Sequence, residues 1–303
     1  MMNKYVVGAI KIIIYSFIAI AGTYIFFLLF NSQPLPFSLQ IEKEPNIILQ
    51  TLELDDTIDA LDLEWYAGGV EITKSNDNKI HIVEKSSTQL DESKWVKPFV
   101  SNNTLILHSR NKTNVVFFNI QSPQSYLELQ LPEQAYTKFK LLLTSGRTTI
   151  TDFDVNQFDL TMTSGNLHLN DLQSDDMNIT MTSGEAFFIQ VHTNDLNLDM
   201  TSGNSSFTGT VKNELDVEMT SGNLDMDLST DSPNEMNVEM TSGNATVILS
   251  ETEGFEVRVD KSSGNLRTDS LIKEVNDELY QYLDSNQTYS VDMTSGSFEI
   301  KLR

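Results

Sequence analysis

The chain of 303 residues contains no cysteine. Disulfides, thiolate metal sites and thiol nucleophiles are therefore excluded, and any exported part must be stabilised by its own core and hydrogen bonds. Basic residues are scarce as well: 20 Lys and Arg stand against 43 Asp and Glu, a net charge of −23. A surface this acidic repels phosphate backbones at long range, which removes nucleic acid from the expected partners. Cations, cationic peptides and basic proteins remain.

Uncharged apolar runs are rare, with one exception. Ile12 to Phe30, IIIYSFIAIAGTYIFFLLF, is 19 residues without a charge. At roughly 1.5 Å per residue it is long enough to cross a hydrocarbon layer of about 30 Å. The leader, residues 1–11, carries Lys4 and Lys11 and no acid, so the positive-inside rule keeps it in the cytoplasm and sends the remainder outward. The expected protein is a single-pass plasma-membrane protein with an extracytoplasmic domain. A cleaved signal peptide is the alternative, since Ala19-Ile20-Ala21 has the small-x-small form of a cleavage site. The apolar run continues nine residues past Ala21, which favours retention as an anchor.

Residues 31–44, NSQPLPFSLQIEKE, hold two prolines and no period, and read as a linker. Residues 45–303 read as one all-β domain. In its first part, 45–140, Leu61, Leu63 and Trp65, Val70 and Ile72, Ile80 and Ile82, and Leu105 and Leu107 alternate as half-buried strands do, with turn-like segments such as Gly68-Gly69 between them.

From 141 to 303 the signal is repetition. Thr-Ser-Gly recurs with its glycine at Gly146, Gly165, Gly184, Gly203, Gly222, Gly243 and Gly296, and Ser-Ser-Gly occurs at Gly264. The spacings are 19, 19, 19, 19, 21, 21 and 32. Aligned on the glycines, the positions seven and five before are apolar and the third before is mostly methionine, for example Phe158, Leu160 and Met162, with mostly polar residues between. The second and fourth positions after are mostly apolar too, as in Leu224 and Met226. This two-residue period describes strand, turn, strand and return. A 19-residue unit is too short for a helical crossover and fits one coil of a single-stranded parallel β-solenoid, or β-helix, whose coils stack equivalent residues into a continuous core. The glycine supplies a positive φ at the corner. The serine before it has inward parity and a hydroxyl able to bond corner backbone or the next serine. Asn166, Asn204, Asn223, Asn244 and Asn265 follow their glycines and can form an amide ladder.

The rungs, with the upstream segments LEWYAGGVEITKSNDNKIHIVEKSS, LILHSRNKTNVVFFNIQSP and LELQLPEQAYTKFKLLLTSGRTTI, resemble the bacterial "putative adhesin" family of β-strand-repeat domains. That family includes LiaG-like membrane-anchored proteins of Gram-positive cell-envelope stress operons. The resemblance covers roughly residues 45–303 and implies a non-enzymatic role in the envelope, in adhesion, scaffolding or stress-linked interaction. It brings no catalytic or ligand residues with it.

Repeated serines invite a nucleophile hypothesis, but a Ser-His-Asp site needs one serine and one positioned base. Eight equivalent serines occur here, and His81, His108, His168 and His192 share no column. No catalytic residue is assigned. The enzymatic alternative is a polysaccharide-cleaving β-helix using Asp225 and Asp227, with Arg267 in the column of Asp225 two coils away. More distinctive is the column four before the glycine, where Asp199, Glu218, Glu239, Asp260 and Asp292 form an acidic stripe with a spacing of roughly 5 Å. Calcium bridging adjacent coils, or a cationic partner such as a peptide, wall polymer or envelope protein, would offset the repulsion; plain solubility explains the stripe as well. No other cofactor is implied.

In the interval of 32, Leu271, Ile272, Val275, Leu279, Tyr282 and Leu283 recur at helical spacing after a capping Ser270, which predicts a short helical insertion covering a side or end of the solenoid.

Overall fold

The computed structural model describes residues 45–66, 68–109, 124–284 and 287–303, which form the compact unit Glu44–Arg303. The expected leader, transmembrane segment 12–30 and linker lie outside the described residues, as does most of LILHSRNKTNVVFFNIQSP. Among the described residues no helix is long and apolar enough to cross a membrane.

The repeats fold as the period requires. Arg147–Met162, Asn166–Met181, Glu185–Met200 and Asn204–Met219 are extended segments of 16 residues, paired in parallel with each residue over its equivalent in the next coil. Met162 lies beside Met181, Met181 beside Met200 and Met200 beside Met219. Inward positions are close to fully buried, with Phe158, Phe188 and Phe207 among the largest side chains sealed from solvent. The result is a β-solenoid-like stack with one continuous core.

The corner explains its own sequence. Every corner glycine has a positive φ, from +105° at Gly146 to +126° at Gly222 and Gly264. A second constraint is tighter. A Cβ on Gly203 would sit 2.0 Å from the carbonyl oxygen of Gly184, and one on Gly222 1.9 Å from that of Gly203. Coils approach so closely because the ladder runs through the corner: the Asn166 N–H donates to Gly146 O and the Ser164 N–H to Thr144 O, both within 3.0 Å. The serine hydroxyl joins this ladder, with Ser202 Oγ donating to Thr182 O and Ser242 Oγ to Thr220 O, each at 3.2 Å. These serines are half-buried at the bend, and they bond backbone and not one another. The expected amide ladder forms where asparagines are adjacent: Asn223 Nδ2 donates to Asn204 Oδ1 at 2.8 Å and Asn244 Nδ2 to Asn223 Oδ1 at 3.0 Å.

A second corner has no repeated word. Six residues after each glycine Asp152, Asp171 and Gln190 take φ of 64°, 51° and 54°, and Gly209 takes 154°. Aspartate tolerates this left-handed region better than most residues, but no shared tripeptide marks it.

Three expectations are corrected. First, the coils do not stack in chain order. The Gly243 strands Glu235–Met240 and Asn244–Leu249 pair with Gln287–Met293 and Ser297–Leu302, and those in turn pair with Phe255–Lys261 and Asn265–Thr268. The Gly296 coil is thus inserted between those of Gly243 and Gly264. The opposite end also departs from chain order: Ala60–Trp65 and Gly68–Lys74 form a coil lying between the later strands Thr104–His108 and Ser125–Leu131 on one side and Ala135–Leu143 and Arg147–Met162 on the other. Gly68, with φ +107°, is the corner on which Gly146 rests.

Second, residues 273–282 are not helical. Lys273–Asn276 and Leu279–Tyr282 form a hairpin, and Leu279–Tyr282 pairs antiparallel with Phe255–Lys261. Asn276 Oδ1 accepts the N–H of Glu278 and of Leu279, both at 3.0 Å, so its side chain nucleates the turn that a helix would have had to suppress. Leu271, Val275 and Leu283 of the expected apolar stripe are exposed, while Tyr280, outside it, is buried.

Third, Arg267 is three coils from Asp225, with Thr246 and Glu299 between, because of the inserted coil.

Candidate functional site

Parity decides which side chains are available. In the strand before each corner, the positions eight, six and four before the glycine point away from the core. The acidic stripe lies there, in the order Asp199, Glu218, Glu239, Asp292, Asp260, each in register with the next. It borders a trough of about 560 Å³ that Thr180, Thr201, Thr220 and Thr241 also line. A second acidic column, which the sequence reading missed, runs parallel to it: Asp176, Asp195, Glu214 and Glu235 are in register, and Glu256 follows beyond Thr288. The signal was present at the eighth position before the glycine, where these residues recur.

Between the two columns, amides and carboxylates mix in the order Asp159, Asn178, Asn197, Asp216 and Asn237. Asn178 Nδ2 donates to Asp159 Oδ1 at 3.0 Å and Asn237 Nδ2 to Asp216 Oδ1 at 2.8 Å. The charges feel one another. Asp216, followed by burial and then by Glu235 and Asp195, raises the pKa of Glu214 above the ordinary glutamate value. Cations enter this middle column at its two ends, with Lys140 beside Asp159 at one and Arg258 beyond Ser290 at the other. Burial pushes Asp159 up, but Lys138, 2.6 Å away, with Asn178 and Gln157, outweighs it and holds the carboxyl below the ordinary value. Among the described residues neither acidic column takes part in an ion pair.

The stripe is a file and not a cage. No group of three or more His, Cys, Asp or Glu among the described residues could hold a metal ion, so the calcium expectation finds no assembled site. The histidines are dispersed: His81 meets Asp77 at 2.8 Å, His108 meets Asp62 at 3.4 Å, His192 meets Thr210 at 2.8 Å and His168 stacks on Phe187. The Asp225 and Asp227 pair is divided. Burial pushes Asp227 up, but Ser229, which donates from its backbone and hydroxyl, and Arg303, 2.6 Å away, bring it below the ordinary range. Asp225 stands exposed on its own.

Stacked parallel coils with polar outer facets define a repeat protein whose surface is read column by column. The family model described as Toastrack DUF4097 matches residues 58–301, and the chain belongs to that family. The family resemblance drawn from the rungs therefore holds. Three solved structures illustrate the likeness. One is a putative adhesin from Bacteroides fragilis, 12% identical, covering 83% of this chain and 96% of its own, with a TM-score of 0.49. Another, from Parabacteroides merdae and also described as a putative adhesin, is 11% identical, covers 84% and 96%, and has a TM-score of 0.37. A putative cell adhesion protein from Clostridium sporogenes is 16% identical, covers 84% and 99%, and has a TM-score of 0.29. Among curated proteins none matches.

Proposed function

We propose that the chain is a non-enzymatic display protein of the bacterial cell envelope, held in the plasma membrane by Ile12 to Phe30 and presenting its acidic facet to a cationic partner. The observation that carries this reading is the register: two columns of carboxylates run side by side on one facet without ion pairs of their own among the described residues. Charges in register repel at a spacing of about 5 Å, and a cationic segment lying along them relieves that repulsion at every coil. A cationic peptide, a basic envelope protein or a cationic wall polymer meets this requirement. Adhesion and scaffolding both fit such a surface, and the 19 uncharged residues with Lys4 and Lys11 before them support the anchored orientation.

The test uses the full chain in detergent micelles and poly-L-lysine as the probe. Saturable, salt-sensitive binding that weakens roughly tenfold in the double variant E218K/E239K is expected. Binding unaffected by that charge reversal, in a variant that still melts cooperatively, would remove the facet from consideration. Fractionation of cells expressing the full chain and a variant lacking residues 12–30 checks the anchor: the first should sediment with membranes and the second should not.

A further inference from the structure

The strand after each corner presents a different facet, and it holds a notch. Its outward positions, one, three and five after the glycine, are mostly uncharged over the Gly165 to Gly203 coils: Asn166, His168 and Asn170, then Glu185, Phe187 and Ile189, then Asn204, Ser206 and Thr208. His168 and Phe187 are partners across adjacent coils, and their rings stack with centroids 4.9 Å apart and planes 19° apart. Rings stacked along the coil axis stand edge-up on the sheet, so one face of Phe187 is covered by His168 and the other looks toward the next coil. The residue in that place is Ser206, and the one after it is Asp225. At about 4.8 Å per coil, Phe187 and Asp225 stand about 9.6 Å apart with only a serine between them. The column therefore has a slot one side chain wide, with an aromatic face for one wall, a carboxylate for the other and a hydroxyl on its floor.

We infer that this slot is a binding site for a neutral, hydroxyl-rich sugar ring within a glycan. A pyranose is about as thick as the gap, and its C–H face packs on an aromatic face through dispersion and weak C–H contacts. Its hydroxyls find polar groups already in place. The Ser206 hydroxyl and the Asp225 carboxylate take no hydrogen bond from the described residues, and the Asn204 amide accepts from Asn223 while keeping its own N–H groups. His168 serves as a backing plate and stays neutral in that role, since burial and then Arg147 lower its pKa. Charge selects the ligand class: with −23 on the chain, uronic acid and phosphate polymers are repelled, and an uncharged glycan is not. The site lies on a different facet from the acidic columns and goes beyond the cation-binding reading.

Isothermal titration of the full chain in detergent micelles decides it, with chitohexaose and maltohexaose as neutral probes and polygalacturonate as the anionic one. At least one neutral hexamer should bind. Phe187→Ala should weaken it roughly tenfold or more. Ser206→Leu, which fills the slot from an outward position without touching the core, should abolish it, and E218K/E239K should leave it unchanged. Failure of both neutral hexamers to bind, binding of polygalacturonate alone, or equal binding by Ser206→Leu with an unshifted Tm would overturn the inference. Poly-L-lysine binding by the same preparations reads the acidic facet separately, so the two sites can fail independently.

Discussion

The middle of the stack and its two ends are built from the same strands but obey different rules. From Gly146 to Gly222 the period is 19 residues, each coil lies on the one before it in the chain, and the pairing is parallel throughout. At both ends the stack departs from chain order. At the C-terminal end the Gly264 coil is laid outside an empty place that the Gly296 coil then returns to fill. At the N-terminal end the coil of Ala60–Trp65 and Gly68–Lys74 comes first, Thr104–His108 and Ser125–Leu131 are laid on its outer side, and the chain crosses back to build Ala135–Leu143 and Arg147–Met162 on its inner side. Antiparallel strands then cover the outer edge: Leu279–Tyr282 on Phe255–Lys261, and Ile47–Leu54 on Ile80–Ser86, itself paired with Ser125–Leu131. A strand edge left open is a template for another chain, and a strict repeat cannot close its own ends. The difference teaches that the repeat builds the core and the departures from it limit the stack.

The out-of-order coil is the sharpest point to probe. Because the chain lacks cysteine, an engineered pair reads cleanly. E239C with D292C, neighbours in register, should form a disulfide under mild oxidation, whereas E239C with D260C should not, a difference read by gel mobility after protease cleavage. Crosslinking of the second pair alone would restore chain-order stacking and break the comparison.

Corner glycines should separate middle from end by stability. Gly203→Ala places a Cβ 2.0 Å from a backbone carbonyl in the middle, so the coils must part and lose ladder bonds; a loss of about 3 kcal/mol or more is expected. Gly264→Ala in the terminal coil meets its neighbour at 2.8 Å, and about 1–2 kcal/mol is expected. Denaturant unfolding measures both, and equal effects would mean that φ alone matters. In the core, Met200→Ala should cost about 2–4 kcal/mol and half-buried Leu266→Ala about 1 kcal/mol, by the same measurement.

The N-terminal end also holds a buried acid. Glu84 accepts from Gln50 Nε2 at 2.6 Å and from the Val96 N–H at 2.9 Å, and burial, outweighing those two bonds, raises its pKa. A carboxyl raised on folding contributes stability that is full below its unfolded pKa and is lost as pH rises through its folded pKa. Glu214 in the middle shifts in the same direction through its acidic neighbours. Asp159 and Asp227 oppose them: their lowered values contribute stability above the unfolded pKa that is lost as pH falls through the folded pKa. The melting temperature at low salt should therefore climb on mild acidification from neutral pH and fall again once the lowered carboxylates protonate. Glu84→Gln should flatten the climb, and a profile unchanged by it would assign the climb to the facet alone. The smallest effect should be Asn223→Ala, which cuts two amide bonds exposed to solvent and should cost about 0.5–1 kcal/mol in the same melts.

Much of the fold was legible because parallel in-register stacking copies one coil's requirements into every other. The recurrence of Met162, Met181, Met200 and Met219 announced the buried column, and the glycines announced a corner that admits neither a negative φ nor a Cβ. Less was legible of the site. Asp199, Glu218 and Glu239 were visible as a file, but Asp176, Asp195, Glu214 and Glu235 beside them went unread, and the notch at Ser206 has meaning only once Phe187 and Asp225 are known to flank it.

By itself the sequence determined the period, the inward and outward parity and the first corner, since these follow from backbone sterics and a two-residue alternation that every coil repeats. Tertiary structure alone decided which coil lies beside which. Asp260 and Asp292 satisfy the same column equally well, and only the hydrogen bonds of Gln287–Met293 to strands on both of its sides place Asp292 inside and Asp260 at the end. The same holds for residues 273–282, whose apolar spacing suits a helix in isolation. An unpaired strand, Phe255–Lys261, lay within reach, and pairing its backbone groups outweighed the helical pattern.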